Sequence, residues 1–350
     1  MNKQKNKKYT SPFVGLKDIA KRCEVSAMTV SRALRNVPGV NPETRRKVLQ
    51  AANELGYVPN MIASNLISKK TNTVGVMVPD IGVTIFPSVL KGIESVLSRE
   101  NYRIFICCTS DDPGKEYQEA QALLKHRVDG IIMAPSSTRE SREIVGRILG
   151  SGCSLVFIDR IIPGLDVSAV TVNDYESTYE AVTHMIGQGF TRIAHLAGPP
   201  NVWTANERLR AYKQAMRDAG MKVSARDIIT AGFTVEGGIA GMERMLDRKQ
   251  RPDAVFCVND PVALGAYQVL RKNGIEIPRA MGLAGFSNLR EAELTAVPLT
   301  SVTHDVVNIG QQSARILLTH MRTPDPADRK LVFQELKSHL VVRQSTLLKP

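Results

Sequence analysis

A chain of 350 residues is too long for one small domain, and its 43% hydrophobic content supplies real cores, which excludes a disordered protein. The net charge of +12 is uneven: residues 1–70 hold fourteen Lys/Arg against Asp18, Glu24, Glu43 and Glu54, leaving +2 for residues 71–350. The five cysteines form no C-x-x-C pair, the start is charged, and no run of about eighteen apolar residues occurs. A disulfide framework, a zinc site, a secretory signal and a membrane span are therefore not expected, and a cytoplasmic protein is.

The basic start NKQKNKKY (within a tail, 1–14, read as disordered) serves solubility as readily as binding, but the whole basic block has the footprint of a polyanion binder. From Leu16, apolar residues Ile19, Ala20, Val25, Val30 and Leu34 fall at spacings that let two crossing helices share one small core. Their turn is Glu24-Val25-Ser26, and Ser26 is a good N-cap for the second helix. Asn41-Pro42 starts a third helix, whose Val48, Ala51, Ala52 and Leu55 close the core before Gly56 ends it. An ordinary three-helix bundle with a basic surface would satisfy this pattern. What sets it apart is the crowding of Ala27, Met28, Thr29, Ser31, Arg32 and Arg35 on one short helix, sized for the DNA major groove. Arg32 can place two donors on a guanine, and Ala27 and Met28 can touch a thymine methyl. Thr29 and Ser31 suit phosphate oxygens. Lys17 and Ser26 complete this set of candidate DNA contacts.

The run K-D-I-A-K-x-x-x-V-S-x-x-T-V-S-R-x-L, followed by T-R-x-x-V-x-x-A-x-x-L-G-Y-x-P-N, resembles the start of the LacI/GalR family of bacterial transcription regulators. The resemblance continues to about residue 345. It implies a helix-turn-helix domain over 1–59, a hinge helix and linker over 60–70, and a two-lobed effector-binding and dimerisation domain over 71–350. The segment Met61–Ser68 is short enough to be a marginal helix alone. In the family such a hinge pairs with its dimer mate in the minor groove, which makes Asn60, Ala63 and Leu66 candidate DNA contacts, with Leu66 as a wedge between base pairs. The family often has Arg where this chain has Met61. A plain linker is the alternative.

From Thr73 the pattern becomes α/β. Candidate strands are TVGVMV (73–78), RIFICC (103–108), DGIIM (129–133), SLVFI (154–158), RIAHLA (192–197), AVFCV (254–258) and GLAGF, with helices expected at Pro87–Arg99, Glu116–Lys125, Ser177–Gln188 and Pro261–Lys272. Strands alternating with helices imply parallel sheets covered on both faces. Cys107 and Cys108 read as buried strand residues, and Asp111-Asp112 and Asp129-Gly130 as turn or strand-boundary residues. The family's core has two such lobes, like periplasmic sugar-binding proteins, and ligands of open α/β sheets bind beyond the carboxyl ends of the strands.

On that resemblance Arg208, in N-E-R-L-R-A-Y, matches the Arg that hydrogen-bonds effector oxygens, and Asn259, in V-N-D-P, fits the pocket. Asp260 beside it either contributes or only caps the next helix. Phe86 and Phe233 match apolar or aromatic ligand neighbours, and Asp159, in F-I-D-R, is a further contact. Relatives commonly have G-[YF]-D-[DN] where this chain has G-F-S-N, so Ser287 stands in place of an anion. Loss of that anion beside Arg208, together with M-T-V-S-R, T-I-F and G-F-S, leans toward the gluconate-repressor branch and an acidic sugar effector. No G-x-S-x-G, H-E-x-x-H or Walker loop occurs, and Gly237-Gly238 is an isolated pair, so neither an enzyme, a cofactor nor a metal is expected. No heptad repeat that would join dimers follows V-V-R-Q-S-T. The expected protein is a homodimeric repressor of a sugar or sugar-acid operon, binding double-stranded operator DNA and a small effector, with no membrane partner. The alternatives are a ligand-binding protein with a vestigial DNA end, and a DNA-binding protein that answers to no effector.

Overall fold

The computed structural model describes residues 14–57, 70–82, 85–323 and 325–348. The chain forms two compact units, Met1–Thr71 and Asn72–Pro350. In the first, α1 (Leu16–Cys23), α2 (Ala27–Leu34) and α3 (Pro42–Glu54) surround Ile19, Ala20, Val30, Ala33, Val48, Ala51 and Ala52. Each helix start has a local cause. Asp18 accepts from the Gly15 amide at 2.8 Å, Ser26 Oγ from the Thr29 amide at 3.0 Å, and Asn41 Oδ1 from the Glu43 amide at 2.8 Å. The tight turn after α1 is made by Glu24 in the left-handed region, φ 55, and Gly56 at φ 66 stops α3. Val25, Leu34 and Leu55 only flank this core, half-buried.

The second unit contains two six-stranded sheets. The first is built from β1 (Thr73–Val78), β2 (Arg103–Cys108), β3 (Gly130–Met133), β4 (Ser154–Ile158), β5 (Ser168–Val172) and β11 (Phe333–Leu336), in the order β2-β1-β3-β4-β5-β11, all parallel. The second contains β6 (Ile193–Ala197), β7 (Ile228–Thr230), β8 (Ala254–Cys257), β9 (Gly282–Phe286), β10 (Thr300–His304) and β12 (Ser338–Val341), in the order β7-β6-β8-β9-β10-β12, with only β12 antiparallel. The interior strands β1, β3, β4, β6, β8 and β9 are buried along their whole length, as covered parallel strands require. β2 departs from the expectation of burial: as an edge strand bonded only to β1, it leaves Phe105 44% and Ile106 50% exposed, with Cys107 and Cys108 half-buried.

The helices in order are α4 (Phe86–Leu97), α5 (Pro113–Lys125), α6 (Arg142–Gly150), α7 (Asp174–Gln188), α8 (Trp203–Asp218), α9 (Val235–Leu246), α10 (Asp260–Lys272), α11 (Arg290–Glu293) and α12 (Val306–Arg322). The chain passes between lobes at β5–α7, β10–α12 and β11–β12: α7 packs on β9, β10 and β12, and α12 on β3, β4 and β5. One apolar cluster runs through these crossovers, from Val76 and Ile132 of the first sheet to Phe256 and Phe286 of the second. α4 lies on α12 with no side-chain spacer, since a Cβ on Gly92 would meet the Val307 carbonyl oxygen at 2.1 Å and one on Gly310 that of Val89 at 2.0 Å. Both sheets reverse their winding between the first and third strands of the lobe, β1/β3 and β6/β8, so the carboxyl ends of these strands are where a ligand site belongs.

Candidate nucleic-acid interface and ligand cleft

On α2, Val30 and Ala33 point into the core, and the opposite face is presented to solvent. Met28 is 72% exposed, Arg32 and Arg35 are exposed, and Ala27, Thr29 and Ser31 are half-buried beside them. Ser26 Oγ sits 2.9 Å from Thr29 Oγ1, so the cap also orders the threonine hydroxyl. Arg32 donates Nη2 to the Pro38 carbonyl at 2.9 Å, and Arg35 donates Nε to the Ser31 carbonyl at 3.2 Å. Arg32 therefore ties down the loop after α2 while keeping the rest of its guanidinium for a base. Arg45, which sequence reasoning did not single out, holds the same loop through the Val37 carbonyl at 2.8 Å. Lys17 is exposed on α1. Asn60, Ala63 and Leu66 lie outside the described residues.

In the second unit, all six expected effector residues line one cavity of about 360 Å³, within the size range of small-molecule sites. Phe86 begins α4, Asp159 follows β4, Arg208 lies on α8, Phe233 precedes α9, Asn259 caps α10, and Ser287 follows β9. The walls are backbone-strained: Ser110, Asp111, Asp159 and Ser287 all have positive φ, with Ser287 at 108°. Residues held this way cluster where a site over-determines its backbone.

The roles differ from residue to residue. Arg208, buried, donates Nε and Nη2 to Asp174 Oδ1 at 2.8 and 2.7 Å and Nη1 to the Val258 carbonyl at 2.7 Å. Its guanidinium carbon lies 3.6 Å from the Phe286 ring centroid. Asn259 turns both ends of its amide inward: Oδ1 accepts from the Val262 amide and Nδ2 donates to the Phe233 carbonyl, each at 3.0 Å. It caps α10 and positions Phe233. Asp260 is not that cap. Its carboxylate accepts from the Leu289 amide and the Ser301 hydroxyl, both at 2.7 Å, and so ties the loop after β9 to β10. Burial pushes its carboxyl up to about 7, against those hydrogen bonds.

Three charged residues of the site were not anticipated. Arg160, next to Asp159 in F-I-D-R, is buried, bonded to both oxygens of Asp111, and stacked 5.1 Å from the Phe233 centroid, which bridges the two lobes. Asp111 is thus more than a turn residue, while Asp112 does cap α5, accepting from the Gly114 and Lys115 amides. Asp174, first residue of α7, comes directly after a crossover. Burial pushes its carboxyl up to about 7, with Arg208 pulling the other way, and burial likewise raises Asp159 against Arg160 and Arg208. The sequence-based case for an acidic effector counted Arg208 as unanswered, and the fold supplies Asp174 as its counter-charge. His304, at the next crossover, is buried with neither ring nitrogen bonded to a described residue, and burial followed by Arg208 depresses its pKa to about 3.

Comparison with known proteins agrees with this architecture. Residues 15–60 match the model of bacterial regulatory proteins of the lacI family, and residues 182–346 that of the periplasmic binding protein-like domain. The chain is 33% identical over 330 residues to the HTH-type transcriptional regulator DegA of Bacillus subtilis, covering 94% of this chain and 97% of that protein. It belongs to the lacI family. Catabolite control protein A of Priestia megaterium is 31% identical, over 95% of this chain and 99% of that protein. Among solved structures, the transcriptional regulator CelR–cellobiose complex superposes with a TM-score of 0.73 at 27% identity, over 95% of this chain and 99% of its own. The lac repressor dimer bound to operator and the anti-inducer ONPF gives 0.82 at 23% identity, over 96% and 99%, a likeness of fold. As a member of that family the chain is a DNA-binding transcription regulator, and among the described residues no helix is long and apolar enough to cross a membrane.

Proposed function

We propose that this regulator is a homodimeric repressor of a carbohydrate-catabolic operon, and that a small carbohydrate in the cleft sets its affinity for operator DNA. The observation that carries the reading is the convergence of Phe86, Asp159, Arg208, Phe233, Asn259 and Ser287 on one cavity at the strand ends. That cavity shares a chain with a recognition helix presenting Met28 and Arg32. The cellobiose held by the related regulator supports a carbohydrate, and the operator-bound dimer of the lac repressor supports two-fold binding to a near-palindromic site. Arg208 joins the cleft to the β5–α7 crossover through Asp174, which gives a ligand a lever on the lobe connection. The two sites then change each other's affinity by the same factor.

The test is selection of bound genomic fragments by the full-length protein, followed by titration of the selected operator in a panel of sugars, alditols and sugar acids. Specific binding that one panel member shifts supports the proposal. Absence of specific binding leaves a ligand-binding protein with a vestigial DNA end, and binding that no small molecule shifts leaves an effector-independent one.

A further inference from the structure

Both guanidiniums of the cleft are already matched by carboxylates. Arg208 gives two donors to Asp174 Oδ1, whose other oxygen is buried with no partner among the described residues. Arg160 is gripped by both oxygens of Asp111 and has Asp159 Oδ2 at 3.5 Å. Asp80 places a further carboxylate on the cavity wall. Each guanidinium thus already has its carboxylate, and the side chains of Arg160, Asp159, Arg208 and Asp174 are all 8% exposed or less. Solvent screens such charges poorly, so a further anion brought among them finds both cations already paired.

We propose that the cleft selects an uncharged, hydroxyl-rich ligand and rejects carboxylates and phosphates, with Asp174 and Asp111 as the residues that set this selectivity. The proposal rests on the cleft being the effector site and reverses the expectation of an acidic effector drawn from Ser287, Arg208 and the segments M-T-V-S-R, T-I-F and G-F-S. A hydroxyl both donates and accepts. It can donate to Asp111 and Asp159 while accepting from the N–H groups that Arg160 and Arg208 have left. A ligand carboxylate can only accept, and would compete with the resident aspartates for the same donors. The Asp174 side chain is fully buried and has no solvent-side position to swing into.

Trp203, the only tryptophan of the chain, precedes the cavity residue Thr204 and provides the reporter. Its fluorescence in the full-length protein is titrated with acetate, sulfate and D-gluconate, and with D-glucose and D-sorbitol as uncharged counterparts. Wild type is expected to give no saturable response to the three anions. Asp174→Asn uncovers Arg208 and is expected to gain affinity for them by about tenfold or more, roughly 1.4 kcal/mol. Asp111→Asn uncovers Arg160 and carries the same test if Asp174→Asn fails to fold. Gluconate binding to wild type more tightly than glucose or sorbitol overturns the proposal, as does the absence of an anion gain in both variants. If no uncharged compound moves Trp203 or operator affinity, the carbohydrate reading of the site falls, and an anion gain in the variants still upholds the charge selection.

Discussion

The exposed face of α2 and the cavity of the second unit are assembled by opposite routes. In the first unit every candidate DNA contact described on α2 comes from one run, Ala27–Arg35, and local hydrogen bonds to Ser26 Oγ and the Pro38 carbonyl position it. In the second, the cavity gathers side chains from Pro79 to Leu289, and its charged groups pair across 34 residues (Arg208 with Asp174) and 49 residues (Arg160 with Asp111). A contiguous site depends on caps and one exposed face. An assembled site depends on the whole lobe pair, so damage to it is felt as stability as well as binding.

That contrast can be broken most severely at Arg208. Arg208→Ala leaves the buried Asp174 carboxyl without its partner, so that it takes up a proton, and is expected to cost the second unit about 1–3 kcal/mol in urea unfolding, together with loss of the ligand response. A variant as stable as wild type would mean that Asp174 is not ionised against Arg208. In the head, Arg32→Ala is expected to leave the fold intact and to weaken specific operator binding by roughly 1–3 kcal/mol, with relaxed preference at one base pair. Anisotropy titrations against single-base operator variants check this. A uniform loss over all variants would assign Arg32 to loop positioning through Pro38 rather than to base reading.

The cleft unit should also show opposed titrations. Asp260 carries a folded pKa of about 7 against an ordinary 3.8, so the folded state takes up its proton first and stability rises as pH falls from 7. His195, buried on β6, and His304 are held by burial at about 4 and 3 against 6.5 and do the reverse: their contribution is present above 6.5 and is lost as pH falls. Asp260→Asn removes the compensating group, and its unfolding free energy should drop more than that of wild type between pH 7 and 5, by up to about 2 kcal/mol. Parallel pH profiles would place Asp260 in its ionised form. The smallest effect is expected at Ser26→Ala, which removes the cap on the Thr29 amide and should lower head stability by about 1 kcal/mol in thermal melts without moving the second unit.

The same contrast explains what was legible in the sequence. Ser26, Asn41-Pro42 and Gly56 punctuate the head locally, and each ends or starts a helix in the fold. In the cleft, Arg208 was visible through its motif, but its partner Asp174 was not, because nothing local marks a carboxylate that meets an arginine 34 residues on in the neighbouring helix. Arg160 was passed over beside Asp159 for the same reason. Asn259 lay where expected, yet its amide serves α10 and Phe233, a use that only the folded backbone reveals. Strands β5, β7, β10, β11 and β12 are not legible in the sequence: β7 is only three residues long, and in the others serine, threonine, histidine and glutamate at crossover and edge positions break the apolar run. β2 misled in the other direction, since an apolar run at a sheet edge looks like a core strand.

The most direct measurement is the dissociation constant of the full-length protein for its selected operator, with and without each uncharged sugar or alditol of the panel, in wild type and in Phe233→Ala. One compound is expected to change wild-type operator affinity by roughly 5–150-fold, and the change should disappear when the aromatic wall of the cleft is removed. An operator affinity that no compound alters, or a response that survives in Phe233→Ala unchanged, would contradict control from this cleft.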